Sequence, residues 1–334
     1  MSQRSSSVTR NDLKVTSDPG MSIAVRELIG SERPASSSML PVLLVHGGGG
    51  GGVPSFDSPA ANASVAGDLA LAGYIVYLID IRGWGGSTRP VQLEHAPEKY
   101  SPAVSSEEAV RDIAAVVEFI CDRLGVKTVA LIGWASGGHW AGMYASRYPH
   151  RVSGLVLLNS LYGVAAPWSM RSAFEDKDHP GEFDRSVGAY VLRSAQSLLG
   201  AWERTIPIAD KNAWRDPEAA SAYARLTIAG DPTSNDRTPP SVRTPTGFQQ
   251  DSFAMALGHR FWEASDITAD VLIMRGTRDF WSRPEDVAAL QRELTSARSV
   301  HLLEIEDGTH FLFLDRPERG RQAFIDRVIQ FLKI

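Results

Sequence analysis

Four stretches of this 334-residue chain carry residue types that can do chemistry. The first is a run of six glycines, Gly47 to Gly52, directly after His46. Backbone N–H groups in such a run can approach a developing negative charge without interference from side chains. The second is Leu131-Ile132-Gly133-Trp134-Ala135-Ser136-Gly137-Gly138-His139, a glycine-rich turn between an apolar run and a helical pattern. Such turns also cradle phosphates, but no Lys-Ser/Thr pair follows this one and GxGxxG does not fit it. The last two are single residues beyond apolar runs. Asp279 lies in Gly276-Thr277-Arg278-Asp279-Phe280-Trp281, and His310 in Asp307-Gly308-Thr309-His310-Phe311. A carboxylate that orients an imidazole makes a general base. Either residue alone is more ordinarily a turn, cap or packing residue.

The runs that must hold these residues are short and unbroken: Pro41 to His46, Tyr74 to Asp80, Thr128 to Ile132 and Val152 to Leu158. Aliphatic stretches of this length without polar alternation predict strands buried on both faces, hence a parallel sheet covered by helices. Ser105 and Glu108 have the spacing of a capping box, and Val110, Ile113, Ala114, Val117, Ile120 and Leu124 follow at helical intervals. Gly125 ends that helix where a left-handed residue is needed, and Cys121 falls on its apolar stripe as a buried thiol. A right-handed βαβ crossover is then the natural connection. The pattern breaks after Tyr162. From Gly163 to Ile267 the sequence predicts helices over Gly188–Trp202, Pro217–Ile228 and Gly247–Ala264, a loop over Gly230–Thr246, and no strand pair. The sheet resumes with Val271–Arg275 and Val300–Ile305, followed by helices over Pro284–Leu294 and Arg319–Leu332. The expected division is a core over 1–162, a helical lid over 163–267 and the rest of the core over 268–334.

With those elements in place the chain resembles the α/β-hydrolase family, whose nucleophile elbow reads Gly-x-nucleophile-x-Gly between a strand and a helix. The resemblance implies an α/β fold, a mostly parallel central sheet flanked by helices, with a helical lid insertion. The elbow is so tight that the residues two before and two after the nucleophile must be small. Centring it on position 135 puts Gly133 and Gly137 in those places, whereas centring it on Ser136 puts Trp134 in one. Position 135 is therefore the nucleophile position, and it holds Ala135. Ser136 becomes the next residue, which lends its backbone N–H to an oxyanion hole. Gly47, Gly48 and Gly49 match the family's oxyanion loop, and Asp279 and His310 stand where it keeps its acid and its base. Asp80-Ile81-Arg82-Gly83-Trp84-Gly85-Gly86-Ser87 matches the family's DxRGxGxS turn.

With serine at 135, the resemblance implies attack on a carbonyl carbon, with His310 taking the proton and Asp279 orienting the ring. Alanine supplies no nucleophile, and its loss costs such an enzyme on the order of a million-fold in rate. Both small neighbours, the acid, the base and the glycine run are intact. That favours an enzyme with its attacking serine replaced over a natural binding protein that has lost catalysis. Epoxide hydrolases and dehalogenases, with aspartate at that position, remain the alternative chemistry, although Gly-Trp-x-Ser-Gly-Gly resembles serine elbows more. Carbon–carbon bond hydrolases and acyltransferases share the same triad. The expected partner is a small-molecule ester or lactone, bulky and apolar, such as a macrolide or other polyketide. Trp134, Trp84, His139, Trp168 and Trp281 are the candidate residues lining its site.

No cofactor and no metal is called for, since neither HExxH nor DxDxDG is present. A net charge of -5 gives no basic footprint for nucleic acid. No segment approaches the ~18 consecutive apolar residues of a membrane span. Met1 to Arg10 is polar, without the apolar core of a leader, so a cytoplasmic location is the default expectation.

Overall fold

The computed structural model describes residues 7–31 and 40–333. Residues 1–6 of the polar start lie outside the described residues. Strands β1 (Val8–Thr16) and β2 (Ser22–Gly30) form an antiparallel hairpin that the sequence reading did not anticipate. The reason is local. β1 is largely exposed, and the apolar pattern of β2 is broken by Glu27, which is buried and held by the Tyr77 hydroxyl at 2.8 Å and Arg123 Nε at 3.0 Å.

The remaining core strands are β3 (Pro41–Val45), β4 (Ile75–Ile79), β5 (Val129–Trp134) and β6 (Val152–Leu158). Every residue of β3, β4 and β5 is buried, as their unbroken apolar runs require. Helices α1 (Gly52–Phe56), α2 (Val65–Leu71), α3 (Ser106–Leu124) and α4 (Ser136–Arg147) fall between them. α3 opens on the Ser105–Glu108 capping box and closes on Gly125, left-handed at φ 65°.

Between β6 and the next core strand, the expected all-helical lid proves to be mixed. β7 (Tyr190–Ser194) pairs antiparallel with β8 (Ser241–Pro245), in stretches read as helix and as loop. Ser, Thr and Pro in β8 disguise a strand that is wholly buried, with the Arg243 guanidinium bound to Asp231 at 2.8 and 2.9 Å. The expected helix over Gly188–Trp202 begins only at Ala195, where Ser194 caps α5 (Ala195–Glu203). α6 (Pro217–Ala229) follows the sequence pattern. α7 (Gly247–Ala256) stops short of Ala264, because Gly258 at φ 97° turns the chain.

The core resumes with β9 (Asp270–Gly276), α8 (Pro284–Glu293), β10 (Val300–Ile305) and α9 (Arg321–Leu332). The eight-stranded sheet runs β1-β2-β4-β3-β5-β6-β9-β10. It is parallel from β4 to β10, with the hairpin antiparallel at one edge. Such sheets place their working loops beyond the carboxyl ends of the strands. The segment between β6 and β9 is fastened there by Arg283, which donates to the carbonyls of Val164 at 2.9 Å and Ala166 at 2.8 Å while paired with Asp286. No helix among the described residues is long and apolar enough to cross a membrane.

Candidate active site

The turn from β5 to α4 is built around Ala135, at φ 53° and ψ -117°. A non-glycine residue at positive φ is uncommon, and such strain concentrates at functional turns. The neighbours show why the turn needs its glycines. A Cβ on Gly133 would lie 2.3 Å from the Gly137 carbonyl oxygen, and one on Gly137 would lie 2.3 Å from that of Val45. Trp134 occupies neither position. Its indole N–H donates instead to the His310 carbonyl at 3.0 Å. Ser136 is the first residue of α4, so its N–H lacks an intrahelical acceptor, and its buried hydroxyl has no partner among the described residues.

The glycine run starts where β3 ends. The Ile81 N–H donates to His46 Nε2 at 3.0 Å, so the ring proton sits on Nδ1 and is donated to the Gly47 carbonyl at 2.7 Å. Complete burial pushes the His46 pKa down and keeps the ring neutral. In a planar trans peptide the Gly48 N–H points opposite to the Gly47 carbonyl, away from His46. Gly48 and Gly49 line a cavity with Ala135, Ser136 and His310, whereas Gly47 packs beneath Ala135. The far end of the glycine run is tied down by Asp80, whose carboxylate accepts from the Gly52 N–H at 2.6 Å and the Gly86 N–H at 2.9 Å. The DxRGxGxS turn therefore braces the glycine loop.

Asp279 and His310 come together past β9 and β10. His310 Nδ1 lies 2.5 Å from Asp279 Oδ1, with both side chains buried. The Asp279 carboxylate also accepts from the backbone N–H of Trp281 at 3.2 Å and Ser282 at 2.6 Å, and from the Ser282 hydroxyl at 2.5 Å. Asn159, fully buried after β6, donates to the His310 carbonyl at 3.2 Å and accepts from the Gly276 N–H at 2.9 Å. Asn159 and Ser282 hold the pair in place, yet no motif in the sequence marks either.

The cavity above Ala135 measures about 80 Å³. Its wall includes Trp134 and Trp281 among the residues expected to line a substrate site, but not Trp84, His139 or Trp168. Trp84 packs behind the wall on His46 and Phe248, at 5.4 and 6.3 Å between ring centres. His139 receives the Trp262 indole N–H on Nδ1 at 3.1 Å and lies 2.9 Å from the Ser106 hydroxyl through Nε2. Burial pushes its pKa down to about 3, so it packs as a neutral ring. Trp168 donates to the Trp281 carbonyl at 2.8 Å and supports that residue from outside. The wall also includes Arg193 and Arg204, which the sequence reading missed because the fold brings them over the β5–α4 turn from distant segments.

Residues 41–317 match the family described as the alpha/beta hydrolase fold. The chain belongs to the α/β hydrolase family. Among curated relatives, this α/β hydrolase is 35% identical over 98 residues to a 2-hydroxy-6-oxononadienedioate/2-hydroxy-6-oxononatrienedioate hydrolase of Paraburkholderia phymatum. The match spans 29% of each chain. Among solved structures, it resembles the enol-lactonase of Burkholderia xenovorans LB400 at TM-score 0.58 and 17% identity, over 96% of this chain and 100% of the other. It also resembles a meta-cleavage product hydrolase of Pseudomonas fluorescens IP01 complexed with acetates, at TM-score 0.57 and 19% identity, over 96% and 97%. At these identities the likenesses speak for the shared fold.

Proposed function

We propose that this α/β hydrolase has the architecture of a serine hydrolase of carboxylic esters or lactones, with Ala135 occupying the position of the nucleophile. The observation that carries the reading is the Asp279–His310 pair at 2.5 Å, whose His310 lines the same cavity as the strained turn at Ala135. With serine at 135, its Oγ attacks the substrate carbonyl carbon while His310 Nε2 takes the hydroxyl proton. Asp279 holds the other ring nitrogen and stabilises the imidazolium. The Ser136 and Gly48 N–H groups receive the oxyanion, aided by the positive end of α4. His310 then protonates the leaving alcohol. Water, deprotonated by the same ring, releases the acid and restores the hydroxyl.

The small cavity favours a compact group at the reacting carbon, and a macrolide would enter only with the lid displaced. A second reading is carbon–carbon bond hydrolysis on the same triad, favoured by the name of the Paraburkholderia relative. Aspartate-type chemistry and ligand binding without catalysis are the remaining alternatives.

The test is reversion. Ala135→Ser is expected to gain hydrolysis of p-nitrophenyl acetate or butyrate by at least a thousand-fold, and adding His310→Ala should abolish the gain. Absence of any ester or lactone hydrolysis in Ala135→Ser would sink the reading. Epoxide opening by Ala135→Asp alone would replace it with the aspartate chemistry.

A further inference from the structure

The lid brings two arginines into the wall of the cavity over the elbow, Arg193 from β7 and Arg204 at the end of α5. Most other buried or half-buried arginines of this chain are matched. Arg243 meets Asp231 and Glu94, Arg283 meets Asp286, and Arg82 meets Asp112. Among the described residues, neither Arg193 nor Arg204 forms an ion pair or donates a side-chain hydrogen bond to another residue. Arg193 is half-buried, and its Nε is buried without a partner. Arg204 is exposed and sits over Phe280, its Cζ 4.4 Å from the ring centre. Phe280 in turn packs on His310, with 4.5 Å between ring centres. Desolvation lowers the pKa of both arginines, with no carboxylate near enough to offset it.

Arg193, half-buried with an unpartnered Nε and no counter-charge, carries a desolvation cost, and the planar fork of either guanidinium matches a carboxylate in two parallel hydrogen bonds. The rest of the wall adds no negative charge. Gly48, Phe174, Phe248 and Trp281 are neutral, and Asp279 is already occupied by His310, Ser282 and backbone N–H groups.

We propose that the substrate is an acid as well as an ester: its acyl part carries a carboxylate that Arg193 and Arg204 receive, while the scissile carbonyl faces position 135. The exposed Arg204 draws the anion in, and Arg193 in the wall fixes it, so the carbonyl is oriented by charge as well as by shape. The space of about 80 Å³ suits a planar carboxylate on a short chain. This deepens the hydrolase reading of the same cavity and rests on it for the bond that is broken.

The test uses the Ala135 chain as it stands, which leaves the ester intact. Binding of monophenyl succinate is compared with that of phenyl butyrate, the same ester with a methyl group in place of the carboxylate. Isothermal titration at low salt should show at least a tenfold preference for the succinate ester, shrinking as salt is added. Arg193→Gln and Arg204→Gln should each cut the preference severalfold, and the double variant should remove it. Arg204 is exposed, so its variant reports even where Arg193→Gln fails to fold. Equal affinities, no binding of the succinate ester, or a preference that survives the double substitution overturns the proposal. Selective binding with an Ala135→Ser protein that cleaves neither ester would support the anion site while removing the catalytic reading. Cleavage of both esters at equal kcat/KM, without selective binding, would do the reverse.

Discussion

Ala135 is the residue on which sequence and structure meet most directly. A methyl side chain gains nothing from φ 53° and ψ -117°; under the serine-hydrolase proposal the strain would serve to expose an attacking atom that alanine lacks. The surrounding glycines, bonded strands and α4 impose the conformation, at a cost of ~1–3 kcal/mol for a residue so placed. Removing the Cβ should release most of it, against the ~0.5–1 kcal/mol that glycine costs through a more flexible unfolded chain. Ala135→Gly is therefore expected to raise stability by about 1 kcal/mol, read as a higher urea midpoint at unchanged slope. A neutral or lowered midpoint would mean the elbow is not strained. The crowding at Gly133 and Gly137 that marks the turn at 135 could be read from sequence, because steric exclusion acts between near neighbours in the chain. Asp279 and His310 could be placed because each lies just past a stretch read as a core strand: β9 is a buried apolar run and β10 an alternating edge strand. Arg193, Arg204 and Asn159 had no such marker: their roles depend on which segments the fold brings over the elbow, and one arginine in a polar lid looks like any other.

At the scale of elements, the unbroken apolar runs of the parallel strands identified themselves, whereas strands whose burial depends on polar partners did not. Glu27 in β2 and Arg243 in β8 are buried because Arg123 and Asp231 answer them from other elements. Periodicity cannot register such pairings. The same contrast governs glycine. Gly137 and Gly200 both lie in helices, but only Gly137 stands in a motif that demands a small residue. A Cβ on Gly137 would press on the carbonyl oxygens of Val45 at 2.3 Å and His46 at 2.4 Å, so β3 and α4 could not stay this close. One on Gly200, within α5, meets nothing within 4 Å. Gly137→Ala should destabilise by ~3 kcal/mol or more, as overpacking against rigid backbone does. Gly200→Ala should stabilise by ~0.5–1 kcal/mol through helix propensity. Thermal midpoints of the two variants moving in the same direction would refute this account of the elbow.

Across the whole molecule, lid and core are joined at a buried carboxylate beside the loop that carries His310. Asp315 accepts from the Trp202 indole at 2.7 Å and the Trp214 indole at 3.2 Å, both from the lid, and from the core Thr309 hydroxyl at 2.6 Å. Trp202 also stacks on Phe311, next to His310, at 5.1 Å between ring centres. Burial pushes the Asp315 pKa up to about 7, outweighing those three donors and the nearby Arg215 guanidinium. In the unfolded chain the carboxyl titrates near 3.9. The native state therefore holds the proton more tightly, and the stability linked to it is complete below about pH 4. That stability is lost as pH rises through about 7, at up to ~1.4 kcal/mol per unit. Asp315→Asn cannot ionise, so it should flatten this dependence. Its amide also offers one acceptor oxygen to three donors, which lowers stability by about 1 kcal/mol at acidic pH. Urea midpoints of both proteins at pH 5 and pH 8 separate the effects, because the parent should lose more stability than the variant between the two. Equal losses would place the pH dependence elsewhere and reduce the seam at Asp315 to packing and neutral hydrogen bonds.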